Sequence, residues 1–294
     1  MSSMRVNPVT TRTPLPSGPV RNFVSNGVYE HELTKPVFNY YAFASGGSFG
    51  GAEDPRLVRV DEENDIYMTY TACDEGLRIA LTSIRVKDFL QKRWRWKKPV
   101  LISPPNQLSK NWVMFPEKIN GSYAFLLSVV PKIEVVYVDN LGYFDGSRFL
   151  NSSRGFGPIK NSHKNCWDKW IKGAGPIPMR TEYGWLIFYH GMDGDWSKYK
   201  VGAMLLDLNN PEKVLVRSTK PILEPEEVYE NNGFKAGVVF ASGAVVKSGK
   251  LLIYYGAADS YVSVAYANLD NFLEELGKGI RPKLERKILQ RPKK

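Results

Sequence analysis

Acidic, cationic and imidazole side chains recur at strand entries or loops along this 294-residue chain, in groupings that could do chemistry if they share one pocket. The first group, Gly51-Ala52-Glu53-Asp54-Pro55-Arg56, sets two carboxylates and a guanidinium within a few residues. Lys110-Asn111 and Phe115-Pro116-Glu117-Lys118 follow, then Lys172-Gly173-Ala174-Gly175-Pro176 and His190-Gly191-Met192-Asp193, and finally Gly256-Ala257-Ala258-Asp259. Asp54, between a Gly-Gly-Ala bend and a proline, is the residue we select as the one that does the chemistry. Each group also has a plainer reading. Asp54 suits an Asx turn that opens a strand. His190 closes an apolar run and suits a satisfied core or rim histidine, and Lys110 and Lys172 suit solvated surface positions.

Several chemistries find no support. The glycines around Lys172 lack the spacing of a phosphate-binding P-loop. No Gly-x-Ser-x-Gly elbow offers a serine nucleophile. Cys73 and Cys166 have neither metal-ligand spacing nor the number a disulfide framework needs, so no metal or cofactor is expected and reduced thiols in a cytoplasmic protein are. No apolar stretch reaches membrane-span length, and residues 1–20 lack the apolar core of a secretion signal, so no membrane partner is expected. The net charge of +10 raises the prior for an anionic partner. Much of it is local. The segment 278–294 carries eight Lys/Arg against one acid, and Lys92, Arg93, Arg95, Lys97 and Lys98 alternate with Trp94 and Trp96. A solvated face is the plain reading of both runs. The second also fits base stacking or a strand with its tryptophans turned inward. Charge is the only argument for nucleic acid, and no such partner is expected.

The elements that must position these groups repeat. Apolar runs at 66–70, 123–127, 185–189 and 251–255 are each followed by a loop and a second run, at 77–84, 133–138, 201–206 and 262–267. Turn residues precede each first run: 61–65, Asn120-Gly121, Tyr183-Gly184 and Ser248-Gly249. A further strand precedes each turn, at 56–60, 117–119, 177–180 and 243–246. A strand-turn-strand-loop-strand unit with a period of about 60 residues predicts an all-β propeller in a single domain spanning 1–294. A β-sandwich is the alternative, but it does not predict repeats of this length. One helix is expected, over 269–276, with Asp270 near its start and Gly277 as its stop. In a ring, equivalent loops converge, so carboxylates and cations distant in sequence share one mouth. The tyrosines and tryptophans suit strands and also suit flat surfaces on which sugar rings stack.

The five motifs Gly51 to Arg56, Phe115 to Gly121, Lys172 to Pro176, Gly184 to Gly191 and Tyr254 to Asp259 resemble glycoside hydrolase family 130, the β-mannoside phosphorylases and related β-mannosidases, in order from about Ser25 to Asp270. The resemblance implies a five-bladed propeller whose first, abbreviated blade is supplied by the irregular residues 1–50, with Asn7 or Asn39 standing in for sugar-contacting residues there. It implies an inverting reaction at a terminal β-1,2- or β-1,4-linked mannoside, with Asp54 as general acid and inorganic phosphate as nucleophile. It assigns Lys110, Ser128, Lys172, His190 and Tyr199 to phosphate, and Glu53, Arg56, Asp193 and Asp259 to the sugar. Phosphorolytic relatives carry Arg where Ser128 stands, and a serine brings no charge. A β-mannosidase using water, and a non-catalytic carbohydrate-binding propeller, are the other expectations. Mannoside oligosaccharide and phosphate are the expected partners, with assembly as a homo-oligomer.

Overall fold

The structure is a computed structural model; it describes residues 51–73, 77–105, 108–153, 159–160, 166–194 and 198–290. They form an all-β propeller of four blades. Blade 1 is β1 (Ala52–Arg59), β2 (Asp65–Cys73), β3 (Leu77–Arg85) and β4 (Val100–Leu101). Blade 2 is β5 (Val113–Met114), β6 (Tyr123–Ser128) and β7 (Glu134–Val138). Blade 3 holds β8 (Ile159–Lys160), β9 (Trp170–Ala174), β10 (Met179–Thr181), β11 (Gly184–Met192), β12 (Tyr199–Leu206) and β13 (Val214–Arg217). Blade 4 is β14 (Val239–Lys247), β15 (Lys250–Ala257), β16 (Tyr261–Asn268) and β17 (Glu285–Gln290). Two helices join them, α1 (Val86–Leu90) and α2 (Leu269–Gly277). All strand pairings are antiparallel apart from one isolated parallel bridge, Tyr199 to Val238.

The period-two pattern of the strands explains the stacking of blades. Along β11, Trp185, Ile187 and Tyr189 enter the core shared with blade 2, while Leu186 and Phe188 enter the core shared with blade 4. Along β6, Ala124 and Leu126 face blade 3, and Phe125 and Leu127 face blade 1. Fully burying each such side chain stabilises the fold by roughly 1.5–3 kcal/mol, so the three cores between blades carry most of the cohesion. The turn residues do what their types predict: Asn120 and Gly121 (φ 52° and 84°) and Ser248 and Gly249 (φ 50° and 72°) take the left-handed conformations that a two-residue hairpin needs.

Three expectations change. Four blades, not five, are found among the described residues, because about 240 residues at this repeat length fill four; the expected fifth, with Asn7 and Asn39, falls on residues 1–50, outside the described residues. The run Arg93 to Lys98 is not a strand. It follows α1 as irregular chain, with Trp94 edge-on to Phe89 at 5.6 Å and Trp96 packed on the blade 1 cluster of Met68, Tyr70 and Leu101. The basic segment from 278 is more than a solvated face, since 285–290 forms β17, where Arg286 bonds Glu230 at 2.7 Å and Glu226 at 2.5 Å.

Candidate active site

β1 opens with a bulge. Its register against β2 shifts between Glu53 and Arg56, and inside the shift Asp54 takes a left-handed backbone (φ 53°). Asp tolerates that region better than most residues, but outliers of this kind gather where a side chain must be re-aimed. The bulge turns Asp54 and Arg56 toward blade 4, where β1 and β14 approach one another. Between them lies a cavity of about 420 Å³ lined by Asp54, Pro55, Arg56, Phe240, Ser242, Gly243, Tyr254, Gly256 and Asp259. The register of β14 on β15 pairs Phe240 with Gly256 and Gly243 with Tyr254, so these four share one face of blade 4. A side chain at Gly256 would meet nothing within 4 Å, so the glycine leaves the hollow open beside Phe240.

Arg56 is the buried cation of the cavity. Its Nε donates to the carbonyl of Gly175 at 2.7 Å, its Nη1 to Pro55 at 3.4 Å, and its Nη2 has no partner among the described residues. Burial pulls its pKa down and the carboxylate of Asp54 opposes that pull. His190, two residues before the end of β11, has no exposed surface, and its ring stacks on Phe240 at 4.1 Å. Burial first, then the nearby Arg56 charge, push it down to about 3, so the imidazole is neutral at ordinary pH. Gly175 permits the arrangement: a Cβ there would sit 3.0 Å from the Ala241 carbonyl and 3.2 Å from the His190 ring. Tyr199 stands 6.4 Å from His190 and 6.5 Å from Phe240, ring to ring. Burial and the charges of Asp54 and Asp259 raise its phenol, which keeps its proton.

Two lysines complete the cluster. Lys172, on β9, holds its ammonium 5.4 Å from the centre of the Tyr199 ring. Lys110, just before β5, lies 3.4 Å from the Glu53 carboxylate, and its neighbour Asn111 donates to the Lys172 carbonyl at 3.4 Å. A chain of contacts therefore links all four blades: Glu53 to Lys110, Asn111 to Lys172, Lys172 to Tyr199, Tyr199 to Phe240. Asp259 (φ 48°) lines the cavity and pairs with Lys235 at 3.0 Å.

Two residues assigned to the site from sequence are bonded to partners outside this cluster. The hydroxyl of Ser128 donates to the Val130 carbonyl at 2.6 Å and accepts from the Val130 N–H at 3.2 Å, and Ser128 is absent from the cavity lining. Asp193 pairs with Lys200 at 2.8 Å, in a network that continues to Glu224. Its Oδ1 is buried without a partner among the described residues. Phe240, Ser242, Gly243 and Tyr254 had no reading as site residues; the run of small residues Ala241-Ser242-Gly243 after an aromatic was the available signal. No group of His, Cys, Asp or Glu among the described residues can hold a metal ion, and no helix among them is long and apolar enough to cross a membrane.

A propeller whose end blades share a cavity holding an acid, a buried guanidinium and a second carboxylate is built as an enzyme for a small polar substrate. The chain belongs to glycoside hydrolase family 130: the family profile, described as β-1,4-mannooligosaccharide phosphorylase, matches residues 24–277. A 1,2-β-oligomannan phosphorylase from Thermoanaerobacter is 36% identical over 82% of this chain and 75% of its own length. A β-1,2-mannobiose phosphorylase from the same organism is 37% identical over 73% of this chain and 66% of its own. The Listeria innocua β-1,2-mannobiose phosphorylase, solved with β-1,2-mannobiose, superposes with a TM-score of 0.61 at 32% identity, covering 77% of this chain and 60% of that one. The chain thus spans between about 60% and three quarters of the lengths of these relatives.

Proposed function

We propose that this chain cleaves terminal β-mannosides by inverting phosphorolysis, releasing mannose 1-phosphate. The observation that carries the reading is Asp54, held in a left-handed bulge at the wall of a cavity it shares with Arg56 and Asp259. Asp54 supplies the proton that the departing sugar oxygen needs. An external anion is the nucleophile, so a second catalytic carboxylate poised over a water is not required. Arg56 and Asp259 hold the terminal mannose. Lys110, Lys172 and Tyr199 hold the phosphate in line with its anomeric carbon, where fixed cations neutralise charge on the attacking group. His190, neutral and walled in by Phe240, supports that arrangement without adding a charge. Ser128 is not needed in this reading: Lys110 and Lys172 supply the positive charge. Relatives active on β-1,2- and β-1,4-linked substrates support the substrate class. The reading places the enzyme in the cytoplasm, where free phosphate is at hand, and as a homo-oligomer.

The test is to incubate the protein with β-1,2- and β-1,4-mannobiose, with and without inorganic phosphate, and assay mannose 1-phosphate and free mannose. Phosphate-dependent mannose 1-phosphate is expected. Equal release of free mannose without phosphate replaces the reading by hydrolysis, an activity stated of a family member that shares the fold at 24% identity and a TM-score of 0.57.

A further inference from the structure

Two adjacent tyrosines of β15 have opposite surroundings. Tyr255 faces the core shared with blade 3; its hydroxyl donates to the Glu230 carboxylate at 2.7 Å and lies 3.2 Å from the Tyr229 hydroxyl. Tyr254 turns to the other face, where it lines the cavity together with Asp54 and Asp259. Its side chain makes no hydrogen bond and no ring contact among the described residues. Two glycines flank it on that face: Gly243 directly across the strand pair, and Gly256 two residues along β15, about 7 Å away at the usual strand rise. Neither glycine takes a left-handed backbone. A Cβ at Gly256 would meet nothing within 4 Å, and one at Gly243 only the Tyr254 Cβ, at 3.9 Å.

Glycine weakens a strand, so two of them on one face call for a cause. Here neither a left-handed backbone nor close packing demands them. The space they leave is the hollow beside the Tyr254 ring. A tyrosine that is partly covered usually finds a partner for its hydroxyl, as Tyr255 does. Tyr254 instead keeps a donor and an acceptor available in the cavity wall. Its ring offers an apolar face to the C–H surface of a pyranose, and its hydroxyl can exchange a hydrogen bond with a sugar hydroxyl.

Resting on the reading above, we propose that Tyr254 is a specificity-determining residue of the cavity: its ring is the platform for the hexopyranose held there, and its hydroxyl bonds one of that sugar's hydroxyls. Asp54 and Asp259 line the same cavity, so a sugar seated against them is within reach of Tyr254. Lys110 and Lys172, to which the reading gives the phosphate, lie outside that lining, so Tyr254 acts on the sugar and not on the phosphate.

The experiment measures KM and kcat for β-1,2-mannobiose and for inorganic phosphate in the wild type, Tyr254→Phe and Tyr254→Ala. Loss of the hydroxyl alone is expected to raise the mannobiose KM about fivefold, and loss of the ring as well about thirtyfold, with the phosphate KM unchanged in both variants. An unchanged mannobiose KM in Tyr254→Phe, or a phosphate KM that rises equally, overturns the proposal. The phenylalanine variant keeps the ring, so it decides even where the alanine variant does not fold. Calorimetric titration with mannobiose in the absence of phosphate keeps the two readings apart. If the wild type turns nothing over, the phosphorylase reading fails, yet weaker mannobiose binding by Tyr254→Phe still supports the subsite. Equal binding by the variant, or no binding by the wild type, removes it.

Discussion

Blades 3 and 4 are built from the same strand plan but use their two faces differently. In blade 3, every residue of β11 is buried, alternating between two interblade cores. In blade 4, β15 buries Leu251, Ile253, Tyr255 and Ala257 against blade 3, while Leu252, Tyr254 and Gly256 on the other face are half-covered, and their cross-strand neighbours Val245 and Val262 are 47% and 45% exposed. The cavity opens on that second face. A face that fills a core is committed to packing; a face that does not is free to carry glycines and polar groups. The fold concentrates its stability in the faces packed between neighbouring blades and opens its cavity where blades 4 and 1 meet.

The sharpest way to break this division is Asp54→Asn. Phosphorolysis is expected to fall by about 10³-fold, within the usual range for loss of a general acid. The melting temperature is expected to hold, because Asn accepts a left-handed backbone at least as readily as Asp. Retained activity, or lost activity accompanied by unfolding, contradicts the assignment. Next in size is a contrast in stability. Phe188→Ala, in the core between blades 3 and 4, is expected to cost about 3–5 kcal/mol by denaturant titration, and Leu252→Ala, on the half-covered face of blade 4, about 1 kcal/mol. Equal losses would erase the distinction between the two faces.

A third contrast concerns His190, near the end of β11. Its folded pKa of about 3 lies below the ordinary histidine value of 6.5, so the unfolded chain binds this proton first as pH falls. Its contribution to stability is fully present above about pH 6.5 and is lost as pH falls toward 3. Stability measured against pH in the wild type and in His190→Phe should diverge there, with the flatter curve in the variant. Parallel curves would show that the histidine is not buried uncharged.

Much of this was legible in sequence, for physical reasons that differ by region. The four hairpins announced themselves because their turns need particular residues and their strands alternate. Asp54 and Asp259 were legible because each sits in a contiguous motif beside glycine or proline. Phe240 and Tyr254 were not, because their place in the cavity depends on how β14 pairs with β15 around a bulge between Ala241 and Gly243, a register that no local pattern states. Sequence started that strand at Gly243; the structure starts it at Val239, which carries Phe240 and Ser242 into the wall. Ser128 was assigned by the family resemblance, and in the structure its side chain meets Val130, while that of Asp193 meets Lys200.

The account stands most directly on the anomer of the product. With β-1,2-mannobiose and phosphate, followed by nuclear magnetic resonance in real time, the wild type is predicted to release α-mannose 1-phosphate, the outcome of one in-line displacement with Asp54 as acid and phosphate as nucleophile. Release of the β-anomer, or of free mannose at a rate indifferent to phosphate, would contradict it.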